Sequence, residues 1–133
     1  MIFGRILPRL LGRRGELRAA WFYLLRGYRI VARNVRLRAG EVDLVLQRGA
    51  TIVIAEVKTR QTRTAGEGYE AVDRRKRERL IHLGEHYAAR NPHAQLRYDV
   101  LSLFWTGWRF AIQHFPDAFQ PVADASRPWQ WNG

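Results

Sequence analysis

The stretch from Gly40 to Arg60, GEVDLVLQRGATIVIAEVKTR, constrains the fold more than any other part of the chain. Two apolar β-runs flank Gly49-Ala50. That pair has Gly at the first central position of a two-residue loop, which suits a type II′ hairpin turn. With Arg48 and Thr51 flanking the loop, Asp43 faces Glu56 and Glu41 faces Lys58. Opposed residues share a sheet face, with Cβ atoms roughly 4.5–5.5 Å apart. Alternation along the first strand sets Glu41 and Asp43 against Val42, Leu44 and Leu46. Along the second it sets Glu56 and Lys58 against Val53, Ala55 and Val57. The register therefore gathers three carboxylates and one ammonium on one patch. Leu44-Val45-Leu46 and Ile52-Val53-Ile54-Ala55 read as buried on both faces, so the patch is not an ordinary solvated surface. Two carboxylates about 4 Å apart repel by roughly 4 kcal/mol at an effective dielectric near 20. A shared proton, the nearby lysine or a divalent cation would offset that. Hard cations such as Mg²⁺ favour one or two carboxylates with water and phosphate oxygens.

A chain of 133 residues is sized for one domain, able to bury on the order of two-thirds of its unfolded surface. Its net charge of +11 points to a polyanionic partner, nucleic acid first and an acidic membrane surface second. The absence of cysteine excludes disulfides, thiol catalysis and thiolate metal sites. No stretch reaches the roughly 18 consecutive apolar residues of a spanning helix. The N-terminus, MIFGRILPRLLGRRGE, has apolar clusters broken by Arg5, Pro8 and Arg9, which is not a signal-peptide core. The expectation is a cytoplasmic protein with no membrane span. Its basic residues are almost all arginine, and the two lysines are Lys58 and Lys76. Lysine offers a compact point charge on a flexible stem, a different chemistry from the guanidinium fork.

In chain order, residues 1–11 read as a basic arm or helical lead-in, 12–115 as the folded domain and 116–133 as a tail. Gly12 to Arg26 reads as a helix whose apolar stripe is Leu17, Ala20, Trp21, Leu24 and Leu25, stopped by Gly27. Glu16 lies at the edge of that stripe. It either points toward the sheet or serves the positive end of the helix dipole. Tyr28 to Val35 reads as a strand, and the hairpin follows. Thr59 to Gly68 reads as a polar loop, either an ordinary solvated one or one whose Arg60 and Arg63 hold phosphates. Tyr69 to Arg90 reads as a second helix with Val72, Leu80, Leu83 and Tyr87 inward, ended by Asn91-Pro92. Lys76 falls on the inner stripe, where it either snorkels outward or meets an anion, with Arg75 beside it. Gln95 to Trp105 and Trp108 to Phe115 read as strands. Asp99 interrupts the first of these, either as a satisfied structural acid or as a neighbour of the site. The tail carries Trp129 and Trp131, for packing or for stacking on bases. The order helix, three strands, helix, two strands describes an α/β chain with helices on a central sheet.

These residues resemble the PD-(D/E)xK nuclease superfamily through Asp43, then Glu56-Val57-Lys58, with Glu16 upstream on a helix and Lys76 on the following one. The closer resemblance is to the YraN-like family of small bacterial proteins. It runs through Gly15-Glu16, Tyr28, Arg33-Asn34, Gly40-Glu41-Val42-Asp43-Leu44, Glu56-Val57-Lys58, Ala71-Val72, Lys76 and Asp99-Val100. Val42 stands where the superfamily name has Pro. The resemblance implies a restriction-endonuclease-like core with a mixed five-stranded sheet, similar to archaeal Holliday-junction resolvases and the RecB nuclease domain. It further implies Mg²⁺ or Mn²⁺ held by Asp43, Glu56 and the Val57 carbonyl. Lys58 would orient the attacking water, Glu16 would complete the site, and Lys76 would contact a phosphate oxygen. Glu41 would tune Lys58 or pair with it, and the arginines would bind the backbone. It favours DNA over RNA and allows a homodimer. The rival readings are a non-catalytic nucleic-acid-binding module, a zinc peptidase through His82-Leu83-Gly84-Glu85-His86, and a basic interaction protein docking through its N-terminus.

Overall fold

A computed structural model describes residues 2–38, 40–60 and 74–121. Its elements are α1 (Ile2–Leu24), β1 (Arg29–Leu37), β2 (Gly40–Arg48), β3 (Thr51–Arg60), α2 (Arg74–Arg90), β4 (Gln95–Trp105) and β5 (Phe110–Phe119). The strands form one mixed sheet in the order β1-β2-β3-β4-β5. All neighbours are antiparallel except β3 and β4, which run parallel because the chain crosses over through α2 between them.

The hairpin turn obeys its sequence. Arg48 opposes Thr51, Gly49 has φ +59, and Ala50 stays out of the left-handed region, as a type II′ turn requires. β3 lies between two neighbours and is covered on both faces, which is why it reads as a continuous apolar run. Its Ile52 and Ile54 join a cluster with Leu80, Ile81 and Leu83 of α2. Its Val53 and Ala55 join a second cluster with Ala19, Ala20, Phe22 and Tyr23 of α1. The sheet is thus sandwiched between the helices, and each fully buried Leu, Ile or Val is worth roughly 1.5–3 kcal/mol over leaving it exposed.

Helix α1 differs from the sequence expectation in three ways. It starts at Ile2 instead of Gly12, since Leu and Arg are good helix formers and carry the turn-by-turn pattern back through the lead-in. It stops at Leu24 in a Schellman motif. Gly27, at φ +88, donates to the Leu24 carbonyl at 3.1 Å, and Tyr28 donates to the Tyr23 carbonyl at 3.1 Å. It also buries a different face. Leu17, Trp21, Leu24 and Leu25 are exposed, and of the expected stripe only Ala20 is inward. The inner face instead carries Gly15, Ala19 and Ala20, which allow close approach, followed by the large rings of Phe22 and Tyr23. A Cβ on buried Gly15 would overlap the Thr59 side chain of β3, so the helix crosses the end of that strand at contact distance.

The start expected for the second helix falls in residues 61–73, outside the described residues, as does the Trp-rich end of the tail. β5 continues past Pro116 to Phe119, with Ala118 and Phe119 buried and Phe119 stacked on Tyr98. Burial of that ring extends the sheet into what reads as tail. Among the described residues no helix is long and apolar enough to cross a membrane.

Candidate functional site

β2 and β3 separate where their acids begin. The ladder runs from Arg48↔Thr51 to Leu44↔Ala55, and the expected pairs Asp43/Glu56 and Glu41/Lys58 lie beyond its end. There the Asp43 carboxylate accepts a hydrogen bond from the Val57 N–H at 2.7 Å through Oδ2. That N–H lies in the plane of the sheet, so the side chain that meets it must lie in the plane as well.

The packing explains how this comes about. In a regular strand, residues three apart face opposite sides. Yet Val42 and Val45 both pack in the α2-side cluster, with Leu44 in the α1-side cluster. β1 has a bulge between Ile30 and Ala32, which leaves Val31 and Ala32 both on the α2 side, and beyond it makes the same slip, with Ala32 and Val35 on that side. The pairs Arg33↔Leu44 and Val35↔Val42 place the slip at Asn34, directly across from Asp43, and Asn34 has φ +50. The expected alternation of Val42 with Leu44 therefore fails at one position, and Asp43 is rolled out of the face and into the gap between β2 and β3.

Beside that gap stands Glu56, buried with Ile52 and Ile54 on the α2 side. Lys76 of α2 reaches it, with Nζ 4.0 Å from Oε1. Among the described residues the other oxygen, Oε2, is buried and has no hydrogen-bond partner. Burial is the largest influence on both acids. It pushes Glu56 up to about 7, with the Asp43 charge adding and Lys76, Arg79 and Lys58 offsetting. Asp43 goes up to about 6, opposed by the Val57 N–H, raised further by Glu16 and Glu41, and relieved by Arg79. Glu16 is itself raised by burial and by Glu41, while Arg33 and Arg13 pull it back. The fork thus holds two acids that resist ionising together, between a helix that brings acid (α1) and a helix that brings base (α2).

A family model described as "Uncharacterised protein family UPF0102" matches residues 15–103 of this chain. The chain belongs to the UPF0102 family. Similar UPF0102 proteins include one from Symbiobacterium thermophilum, 44% identical over 99 residues, covering 73% of this chain and 84% of that protein. One from Prosthecochloris aestuarii is 34% identical over 122 residues, covering 86% and 96%. Among solved structures, Pyrococcus furiosus SfsA in complex with Ca²⁺ is similar at a TM-score of 0.37 and 16% identity, over 80% of this chain and 62% of that one. So slight a likeness carries nothing over to this chain.

The UPF0102 match begins at the close contact of Gly15 and encloses the whole fork. The structure brings Asp43, Glu56, Val57, Lys58 and Lys76 together, with Glu16 and Glu41 bearing on Asp43 by their charge. Glu41 is exposed and opposes Arg36 of β1, and among the described residues no ion pair joins it to Lys58. Arg60 ends β3 opposite Phe104, Arg75 is exposed on α2, and Arg63 lies outside the described residues. Asp99 belongs elsewhere. It sits on the α1 side of β4 as a fully satisfied acid, with Arg97 donating to both oxygens at 2.8 Å. It also accepts from Tyr23 at 2.9 Å, His114 at 2.8 Å and the Asp117 N–H at 3.0 Å. Burial alone would raise it, and these donors overcome that and hold it at about 2. His82, Glu85 and His86 are exposed on α2, and among the described residues no three His, Cys, Asp or Glu side chains form a metal-holding group.

Sequence reasoning set Arg79 among the arginines around Lys76 and Asn34 within the family pattern, but gave neither a role at the site. Arg79 follows Lys76 by three residues, one helical turn along the same face, a spacing that could have identified it. Its guanidinium lies against Gly40, where φ is +136 and a Cβ would overlap it. Nothing in the spacing of β1 singles out Asn34.

Proposed function

We propose that this protein is a metal-dependent phosphodiesterase acting on nucleic acid, DNA in preference to RNA, with its centre in the fork between β2 and β3. The observation that carries this reading is the pair Asp43 and Glu56. Glu56 is buried and Asp43 half-buried, both are pushed toward neutrality, and an oxygen of Glu56 lacks any partner among the described residues. A buried lone pair of this kind asks for a cation. In a strand, N–H and C=O of one residue point the same way, so the Val57 carbonyl also faces the fork. Two carboxylates and a carbonyl suit Mg²⁺ or Mn²⁺, which take their remaining ligands from water and phosphate. When bound, such an ion supplies Lewis acidity and lowers the pKa of the attacking water.

The chain's own groups do the rest. Asp43 is fixed by the Val57 N–H and cannot swing away. Lys58 follows Glu56 by two residues on the same face of β3, so its ammonium stands beside the scissile phosphate to orient water and stabilise the growing negative charge. Lys76 and Arg79 hold non-bridging oxygens from the α2 side. A new bond forms from water oxygen to phosphorus and the bond to the leaving sugar oxygen breaks. Water gives up a proton and the leaving oxygen gains one. The net charge of +11 supplies salt-sensitive backbone affinity.

The small number of side-chain donors among the described residues favours one rival, a nucleic-acid-binding module without turnover. Labelled single strand, duplex, flap, four-way junction and RNA hairpin, each with EDTA, Mg²⁺ and Mn²⁺, separate the two. Metal-dependent cutting lost in Asp43→Ala and Lys58→Ala is expected. Equal binding with and without metal, and no cutting of any substrate, would establish the rival.

A further inference from the structure

We infer that Asn34 is a positioning residue for this centre, and that it acts through its backbone rather than its side chain. The inference rests on the proposed function for its purpose and on the strand geometry for its content. A left-handed residue inside a strand turns the following residues to the other face. Asn34 is the left-handed residue of β1, at φ +50, and it lies directly across from Asp43. The same slip of faces occurs in both strands at this pair. Val42 and Val45 in β2 are three apart and face the same helix, as do their partners Val35 and Ala32 in β1, where Ala32 also follows the bulge at Val31.

The bonded register holds on either side of the slip, with Arg33↔Leu44 before it and Val35↔Val42 after it. β2 is therefore carried along by β1 and does not kink alone. The result is that Asp43 leaves both faces of the sheet, takes the Val57 N–H in place of a backbone acceptor, and ends the β2–β3 ladder at Leu44↔Ala55. Without that rotation Asp43 would stand on one face of an unbroken hairpin, and the strands would stay closed beside Glu56. Asn is one of the few residues other than Gly that enters the left-handed region readily, whereas a β-branched residue there is a genuine outlier. The side chain of Asn34 is exposed, so the structure gives its amide no buried task.

The test is a comparison of Asn34→Gly, Asn34→Ala and Asn34→Val, each first shown to be folded by circular dichroism. The first readout is the Val57 amide proton resonance at a fixed pH of about 8 in EDTA, which the hydrogen bond to a carboxylate holds downfield of its strand neighbours. The second is Mn²⁺ affinity by calorimetry. Asn34→Gly is expected to keep the Val57 resonance and the affinity of the wild type. Asn34→Val is expected to lose the downfield resonance and about tenfold in affinity, in line with removal of a residue that orients a ligand. Asn34→Ala, with a smaller left-handed penalty, lies between them and serves if the valine variant does not fold.

A Val57 resonance unmoved in folded Asn34→Val or Asn34→Ala overturns the inference. So does its loss in Asn34→Gly, which would assign the role to the amide side chain. A merely stabilising Asn34 would lower the melting temperature and leave both readouts in place. If the resonance follows the backbone as expected but wild type binds no Mn²⁺ and cuts nothing, the phosphodiesterase reading fails while the positioning role stands.

Discussion

Replacing Glu56 by Gln should stabilise the metal-free protein while destroying its response to metal. The carboxyl is moved from an ordinary 4.5 to about 7, a value that already contains the attraction of Lys76, Arg79 and Lys58. At about 1.4 kcal/mol per pH unit, ionising Glu56 in the fold costs on the order of 3 kcal/mol more than in the unfolded chain. The folded state holds this proton more tightly than the unfolded one. Stability in EDTA therefore falls as pH rises from about 5 to about 7 and levels off above that. Gln removes this titration, so Glu56→Gln should be on the order of 2–3 kcal/mol more stable than wild type at pH 8, and its stability should fall less than that of wild type between pH 5 and 8, the remaining slope belonging to Asp43. A cation present at a hundred times its dissociation constant returns about 2.7 kcal/mol to wild type. It should return nothing to the variant. Urea denaturation followed by circular dichroism, at pH 5 and 8 with EDTA or Mn²⁺, measures all of this. A flat wild-type profile in EDTA, or a glutamine variant less stable than wild type at pH 8, would refute the reasoning, because the buried carboxylate would then be satisfied within the protein.

Three further outcomes follow from the geometry. If the protein is the proposed phosphodiesterase, Lys58→Ala should abolish cleavage yet keep the Mn²⁺ stabilisation expected in urea melts, since Lys58 lies beside the acids and would lend no ligand. Asp99→Asn should cost about 3–5 kcal/mol, because it leaves the half-buried Arg97 without its bidentate partner. In wild type the contribution of Asp99 is full above its ordinary 3.8 and is lost as pH falls toward about 2, which the acid limb of the stability curve should report. Gly15→Val should lower stability by roughly 1–3 kcal/mol in thermal melts, because the new side chain meets Thr59 where α1 crosses β3.

The parts of this fold legible in the sequence are those set by local chemistry. Gly49 fixes the hairpin register, Gly27 stops α1, and the bounds of β4 coincide with its apolar run. The parts that were not legible depend on a neighbour. Periodicity chose Leu17 and Trp21 as the inner face of α1 because hydrophobicity counts transfer energy alone. The structure chose Gly15 and Ala19, whose small size lets the helix approach the sheet, together with the buried rings of Phe22 and Tyr23. The acids that the fork gathers stood out in the sequence because charge inside an apolar strand is conspicuous. Their arrangement was not, because strict alternation has no place for a side chain in the plane of the sheet. That arrangement is a joint property of Asn34 and Asp43 in two strands, and neither residue announces it alone.

The satisfied state of Asp99 has a consequence for how the chain is made. Its donors come from Tyr23, which precedes it by 76 residues, and from His114 and Asp117, which follow it by 15 and 18. No contiguous half of the protein contains them all. A ribosome releases α1 first, yet the helix cannot lock onto the sheet around an ionised Asp99 until residue 117 has left the exit tunnel. Shorter nascent chains hold β3 and β4 with Asp99 served by Arg97 but without its donors from β5, which leaves the α1 face of the sheet incomplete. Closure of the α1 face is thereby tied to β5, whereas the acidic fork, built by β1, β2, β3 and α2, draws none of its groups from that strand.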